Sequence, residues 1–274
     1  MKKKMTVLDF KKFKEEGRKF TYVTAYDYTT ASIVNDSETE VILVGDSLGM
    51  VMLGYGSTTG VTLDDMIHHT RPVVKGAPDT FVVGDMPFGS YNVSVEDAIR
   101  SANRIIKEAG PDCVKLEGGV EFADTVAAIT RAGVPVMGHI GLTPQTTSQL
   151  GGFKVQGGTP AGAAKLIADA KALEEAGAFS VVLECVPSVV AKAITQALTI
   201  PVLGIGAGPY VDCQVLVLQD MLGMFGDFKP KFVKRYAQLR RDMVEALNTF
   251  HRESLDGSFP SPEYSFNAKV EGYS

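Results

Sequence analysis

Tryptophan is absent from the 274 residues, and cysteine occurs three times and histidine four. Three cysteines are an odd number, and Cys113 and Cys185 fall within expected strands. A disulfide framework is therefore excluded as the source of stability, and a reducing compartment fits. Positive charge is not in excess either: 27 Lys and Arg against 32 Asp and Glu leave a formal net charge of −5, which argues against nucleic acid and anionic membranes as partners. No stretch approaches the roughly 18 apolar residues of a membrane span. The lysines of MKKKMTVLDFKKFKEEG are not followed by the apolar run of a signal peptide. A cytoplasmic protein acting on small molecules is expected.

What the chain does have is a 45% hydrophobic content arranged in short runs. Strand-like segments recur at 21–25, 41–46, 81–86, 113–117, 134–139, 180–185, 201–206 and 215–219. Helix-compatible stretches such as VEDAIRSANRIIKEAG and GAAKLIADAKALEEAG separate them, apolar at every third or fourth position and closed by glycine. The phrases EAGPDCVKLE, RAGVPVMGH and EAGAFSVVLE repeat one helix-to-strand joint. Strand, helix and strand repeated eight times predict an α/β fold, a single (β/α)8 barrel over 1–274. The first joint, NDSETEVILVGD, lacks the glycine, and Asn35 or Ser37 is expected to stop the helix there. In the C-terminal stretch Phe232, Tyr236, Leu239, Met243 and Leu247 share one helical face, suited to packing on the barrel wall. The tail beyond it carries Phe259, Tyr264 and Phe266, suited to a neighbouring subunit.

Four of the apolar runs end at acids: Asp46, Asp85, Glu117 and Glu184. The C-terminal ends of barrel strands form the mouth, so carboxylates from four strands are expected to converge there. Alternation places Ile42, Val44 and Asp46 on one inward face and Phe81, Val83 and Asp85 on another, with Lys115 beside Glu117. Crowded carboxylates repel one another unless a cation intervenes. An all-oxygen set of Asp46, Asp85 and Glu117 favours magnesium over zinc. Lys115 offsets the remaining charge and contacts an anionic substrate. Glu184, from the opposite side of the ring, is the expected proton acceptor for abstraction beside the carbonyl of a chelated 2-oxo acid. Ser47 is a candidate donor to the substrate carboxylate, and His139 either supports the site or is an ordinary core histidine. The adjacent His68 and His69 read as surface residues, and Cys185 as facing outward. The glycine pairs of GGFKVQGG suit a lid.

In order along the chain, TAYDY, VGDSLGM, HHTRPVVKGAP, DMPFGSY, VKLEGG, GHIGLTPQ, GGFKVQG, LECVP and GIGAG resemble the ketopantoate hydroxymethyltransferase family. The resemblance implies a (β/α)8 barrel of the phosphoenolpyruvate mutase/isocitrate lyase-like type. It implies Mg2+, one per subunit, with 5,10-methylenetetrahydrofolate as co-substrate and 3-methyl-2-oxobutanoate as acceptor. Asp46, Asp85 and Glu117 then resemble the metal ligands or their water-mediated partners, and Glu184 the proton acceptor. Asp46, Ser47, Asp85 and Lys115 resemble the oxo-acid contacts, with His139 supporting. A homodecamer is implied, with the C-terminal helix and tail, about 229–274, at subunit contacts. Cys213 and Gln219 stand where glycine and histidine are more usual. Two other readings are a magnesium-dependent carbon–carbon lyase, which needs no folate, and a non-catalytic barrel.

Overall fold

The structure is a computed structural model describing residues 2–226 and 229–272. Eight parallel strands close in sequence order into a barrel: β1 (Phe20–Thr24), β2 (Val41–Val44), β3 (Phe81–Asp85), β4 (Cys113–Glu117), β5 (Val136–Gly141), β6 (Ser180–Glu184), β7 (Val202–Ile205) and β8 (Cys213–Leu216). Phe20 aligned with Cys213 closes the ring. The α-helices as far as β7, in chain order, are α1 (Val7–Glu15), α2 (Tyr28–Asp36), the short α3 (Leu48–Val51), α4 (Leu63–Gly76), α5 (Val95–Ala109), α6 (Ala123–Arg131), the short α7 (Thr147–Leu150), α8 (Pro160–Glu175) and α9 (Ser188–Ala197). At the three repeated joints Gly110, Gly133 and Gly177 adopt φ of 77°, 95° and 93°, the left-handed turn that releases each helix toward its strand.

Two sequence expectations are corrected here. Strand eight runs over Cys213–Leu216 rather than 215–219, and no helix precedes it. The segment 206–212 crosses directly from β7, because GAGPYVD has neither the length nor the apolar period of a helix. Asp212 in this segment accepts from the Val202 amide at 2.9 Å and from Lys14 Nζ at 2.8 Å.

The NDSETE joint ends as expected by side-chain means. Ser37 Oγ bonds back to the Val34 carbonyl at 2.7 Å. Asn35 Oδ1 accepts from the Asp79 amide at 3.0 Å and from Thr80 Oγ1 at 3.1 Å, tying the end of α2 to the entry of β3.

The bottom of the barrel is stopped by α1, which reads in sequence as a charged segment. Its Phe10 is fully buried, with its ring 5.4, 4.9 and 5.0 Å from those of Phe20, Phe81 and Phe179. Phe20 and Phe81 begin β1 and β3, so this aromatic plug fills the N-terminal end and leaves the C-terminal end for chemistry. Above it the interior is Tyr22, Val41, Val83, Cys113, Met137, Val182, Leu203 and Val215. A second apolar layer, including Ile105, Leu116, Ile129, Leu173 and Ile194, lies between strands and outer helices.

The chain divides into two compact units, one of residues 1–218 with 230–233 and one of 219–229 with 234–274. In the second, the helix Leu239–Asp256 closes at Gly257, φ 78°. The tail folds back within this unit, with Phe259 5.6 Å from Phe250 and 5.8 Å from Tyr264. Of the five residues expected on one helical face, Leu239, Met243 and Leu247 lie on this helix. Tyr236 precedes it, and Phe232 belongs to the barrel unit, where a side chain at Gly206 would meet its ring at 2.9 Å. Among the described residues no helix is long and apolar enough to cross a membrane.

Candidate active site

Strand phase delivers most of the site. Phe81, Val83 and Asp85 point inward together, as do Cys113, Lys115 and Glu117, Met137 and His139, and Val182 and Glu184. β2 breaks the expectation. Its inward residues are Val41 and Leu43, so alternation turns Ile42 and Val44 outward. Asp46 nevertheless enters the mouth because the strand ends at Val44 and Gly45 starts a turn into α3. The turn, not the strand, aims this carboxylate: the Asp46 amide donates to Asp85 Oδ2 at 3.0 Å.

The floor is a buried charge cluster. Lys115 Nζ stands 2.8 Å from Asp85 Oδ1 and 3.9 Å from Glu117 Oε1. His139 bridges two acids, Nδ1 3.4 Å from Glu117 Oε1 and Nε2 3.3 Å from Glu184 Oε2. Burial alone would discharge Lys115, but Asp85, Glu117 and Asp46 outweigh it and hold the ammonium above its usual range. Burial likewise opposes a charge on His139, as does Lys115. Glu117 and Glu184 prevail and raise the imidazole to about 9. Burial pushes Glu117 up, but His139 and Lys115 bring it below the ordinary range. Asp46 is the surplus charge: burial first, then Asp85 and Glu117, push it well above the usual carboxylate range.

His139 thus makes a pH-dependent contribution to stability. Its folded value near 9 lies above the reference of 6.5, so the contribution is full below about pH 6.5 and is lost as pH rises through about 9. Melting curves in chelator between these limits should show wild type losing its advantage over His139→Asn on the alkaline side. Parallel curves would contradict the charged bridge.

Two residues that sequence reasoning missed hold the acids in place. Gln145 Nε2 donates to Asp46 Oδ2 at 2.9 Å and to the Met86 carbonyl at 3.0 Å. The Gln145 amide donates to Glu117 Oε2 at 3.1 Å. Tyr91 OH donates to Gln145 Oε1 at 2.7 Å and accepts from the Glu117 amide at 3.3 Å. Gln145 sits in the 3-10 turn Pro144–Thr146 and Tyr91 in a loop, neither long enough for a periodicity, and their only signal was membership of the GHIGLTPQ and DMPFGSY phrases. Ser47 Oγ is 2.8 Å from Tyr26 OH at the same rim, and the carbonyl of Tyr26 is 2.7 Å from His69 Nδ1. His69 is therefore half-buried and bonded rather than a surface residue, while His68 is exposed as expected. Cys185 follows β6 with a left-handed φ of 48° and is half-buried; burial raises its thiol to about 11, against a nucleophilic role.

The donor chemistry fits a divalent cation. Asp46 and Asp85 offer hard oxygens whose like charges a dication would relieve. Glu117 differs, because His139 and Gln145 occupy its two oxygens. Among the described residues no three His, Cys, Asp or Glu side chains close into a metal cage.

Residues 4–262 match the sequence pattern of the ketopantoate hydroxymethyltransferases. The chain is 61% identical over 271 residues to a 3-methyl-2-oxobutanoate hydroxymethyltransferase of Heliobacterium modesticaldum, covering 99% of this chain and 98% of that one. It is 54% identical over 263 residues to the enzyme of the same name from Enterococcus faecalis, covering 96% of each. Among solved structures, a phosphonopyruvate hydrolase complexed with oxalate and Mg2+ superposes with a TM-score of 0.61 at 14% identity, over 95% of this chain and 93% of that one. A 2,3-dimethylmalate lyase of the PEP mutase/isocitrate lyase superfamily gives 0.58 at 14%, over 94% and 92%. At such identity these two establish the shared barrel alone.

Proposed function

The chain belongs to the ketopantoate hydroxymethyltransferase family, and from that premise we propose that its barrel mouth moves a hydroxymethyl group from 5,10-methylenetetrahydrofolate to 3-methyl-2-oxobutanoate, giving 2-dehydropantoate for pantothenate synthesis. The observation that carries this reading is the joining of Asp46, Asp85, Lys115, Glu117, His139 and Glu184 at the barrel mouth into one cluster of ion pairs and hydrogen bonds.

Asp46 and Asp85 would hold one Mg2+ per subunit, with Glu117 beside them as a ligand or water-mediated partner. The ion, when bound, supplies polarisation of the 2-oxo group and so acidifies the C3 proton. Lys115, pinned by Asp85, places a permanent positive charge beside the substrate carboxylate, and Ser47 donates to it. Glu184 takes the C3 proton, and His139 orients its carboxylate. Gln145 and Tyr91 fix the acids in one geometry. The resulting carbon nucleophile bonds to the one-carbon unit, water supplies its hydroxyl oxygen, both bonds from that carbon to the folate nitrogens break, and tetrahydrofolate leaves carrying two protons, equivalent to the one from C3 and one from water.

In deuterium oxide the protein should exchange the C3 proton of 3-methyl-2-oxobutanoate in a magnesium-dependent manner, and form product only when the folate is added. Exchange without folate-dependent product would favour the carbon–carbon lyase reading, whose barrel is the same. We further infer a cytoplasmic homo-oligomer, a homodecamer on the family's likeness, with about 229–274 at subunit contacts. Native mass of the full chain tests that state.

A further inference from the structure

A serine at the start of a helix ordinarily spends its hydroxyl on the amides of the first turn. Ser47 does not. It precedes α3 with helical backbone angles, φ −53° and ψ −20°, and its side chain makes no capping bond. Its Oγ lies instead 2.8 Å from the hydroxyl of Tyr26. Gly45 keeps that oxygen uncrowded, since a Cβ on Gly45 would stand 3.0 Å from it. Ser47 is half-buried at the rim, whereas Tyr26 is fully buried.

Tyr26 is built as a fixed support. The Ala25 amide donates to the Leu43 carbonyl at 3.1 Å, so the chain leading into the tyrosine continues the pairing of β1 with β2. Just beyond it, Asp27 caps α2 by accepting from the Thr30 amide at 2.8 Å. Between these two anchors the Tyr26 carbonyl is 2.7 Å from His69 Nδ1 on α4, and because a carbonyl only accepts, this nitrogen carries the proton. Strand, cap and α4 thus fix the residue whose phenol touches Ser47.

The direction of the hydroxyl–hydroxyl bond follows from acidity. A phenol is a stronger donor than an aliphatic alcohol, so Tyr26 donates and Ser47 accepts. The serine proton is then free to point at an acceptor in the mouth, and a hydroxyl that receives one hydrogen bond donates the next more strongly. With the bond reversed, the lone pairs of Ser47 would face an anion.

Resting on the oxo-acid contact proposed above for Ser47, we propose that Tyr26 is a positioning residue for the substrate: its hydroxyl turns the Ser47 Oγ–H toward the substrate carboxylate, and His69 holds Tyr26 in place. The carboxylate is unchanged while the C3 proton is removed. A contact to it is made equally in the ground and transition states, so its loss appears in KM rather than kcat.

The kinetics of magnesium-dependent C3 exchange test this. Ser47→Ala should raise KM for 3-methyl-2-oxobutanoate about tenfold or more, the size of a hydrogen bond to a charged group. Tyr26→Phe should raise it about three- to tenfold with kcat held within about twofold of wild type, and in a Ser47→Ala background it should raise KM no further, because the hydroxyl it orients is gone. His69→Ala should follow the same pattern at about two- to fivefold. A Tyr26→Phe protein that leaves KM unchanged, that loses kcat instead, or that adds its full effect to Ser47→Ala overturns the proposal. Should Tyr26→Phe not fold, a His69→Ala protein with unchanged KM overturns it. Failure of the underlying contact is distinguishable, because Ser47→Ala would then itself leave KM unchanged.

Discussion

Glu184→Gln should lower magnesium-dependent C3 exchange of 3-methyl-2-oxobutanoate by about 10²- to 10⁴-fold, the usual contribution of a positioned general base. The side chains of Asp85, Lys115, Glu117 and His139 are only 1–4% exposed, whereas that of Glu184 is 16% exposed. It is the member of the cluster free to reach a substrate atom while still oriented from behind. Glutamine keeps the size and one oxygen for His139, so folding and magnesium affinity should be retained. Exchange is read by loss of the C3 proton signal, and magnesium affinity by calorimetry. If the variant exchanged at the wild-type rate with the ion bound, Glu184 would not be the base, and another group facing the mouth would have to take the proton.

The parts of the site legible in sequence are those governed by strand alternation. In β3, β4, β5 and β6 an apolar inward residue is followed two positions later by a polar one at the strand end, and the structure places Asp85, Lys115 with Glu117, His139 and Glu184 together accordingly. Asp46 reached the same place for a different reason. Its strand has the opposite phase, and the turn at Gly45 corrects it, which no two-residue period encodes. Gln145 and Tyr91 were invisible because their role depends on long-range hydrogen bonds across 26 to 99 positions. The α1 plug was hidden by its lysines, although Phe10 and Phe13 at i, i+3 on a short helix were a usable signal. Between β7 and β8 the repeat itself misled, since six helical crossovers invite a seventh.

Lys115→Met should destabilise the protein by about 3–5 kcal/mol when a chelator is present, the range expected when one partner of a buried ion pair is removed. The reason is charge balance. Asp46, Asp85, Glu117 and Glu184 are four carboxylates against two cations, Lys115 and a protonated His139, and burial together with this excess pushes Asp46 toward its neutral form. Without the ammonium a single cation is left among these buried acids, so Asp46 and Asp85 are driven further toward taking up protons. Burial raises both carboxylates already, with Lys115 holding Asp85 down. A carboxylate whose folded value is raised costs stability once pH exceeds its unfolded value, so the variant's deficit should shrink as pH is lowered toward that range. Saturating magnesium should shrink it too, because a dication among the same oxygens replaces the lost charge. Oxo-acid affinity should not recover, since the ion cannot replace a fixed positive group beside the substrate carboxylate. Denaturation with and without magnesium separates these effects. An equal deficit in both conditions would mean that the ion does not bind next to Lys115, and that the buried acids serve the fold rather than the chemistry.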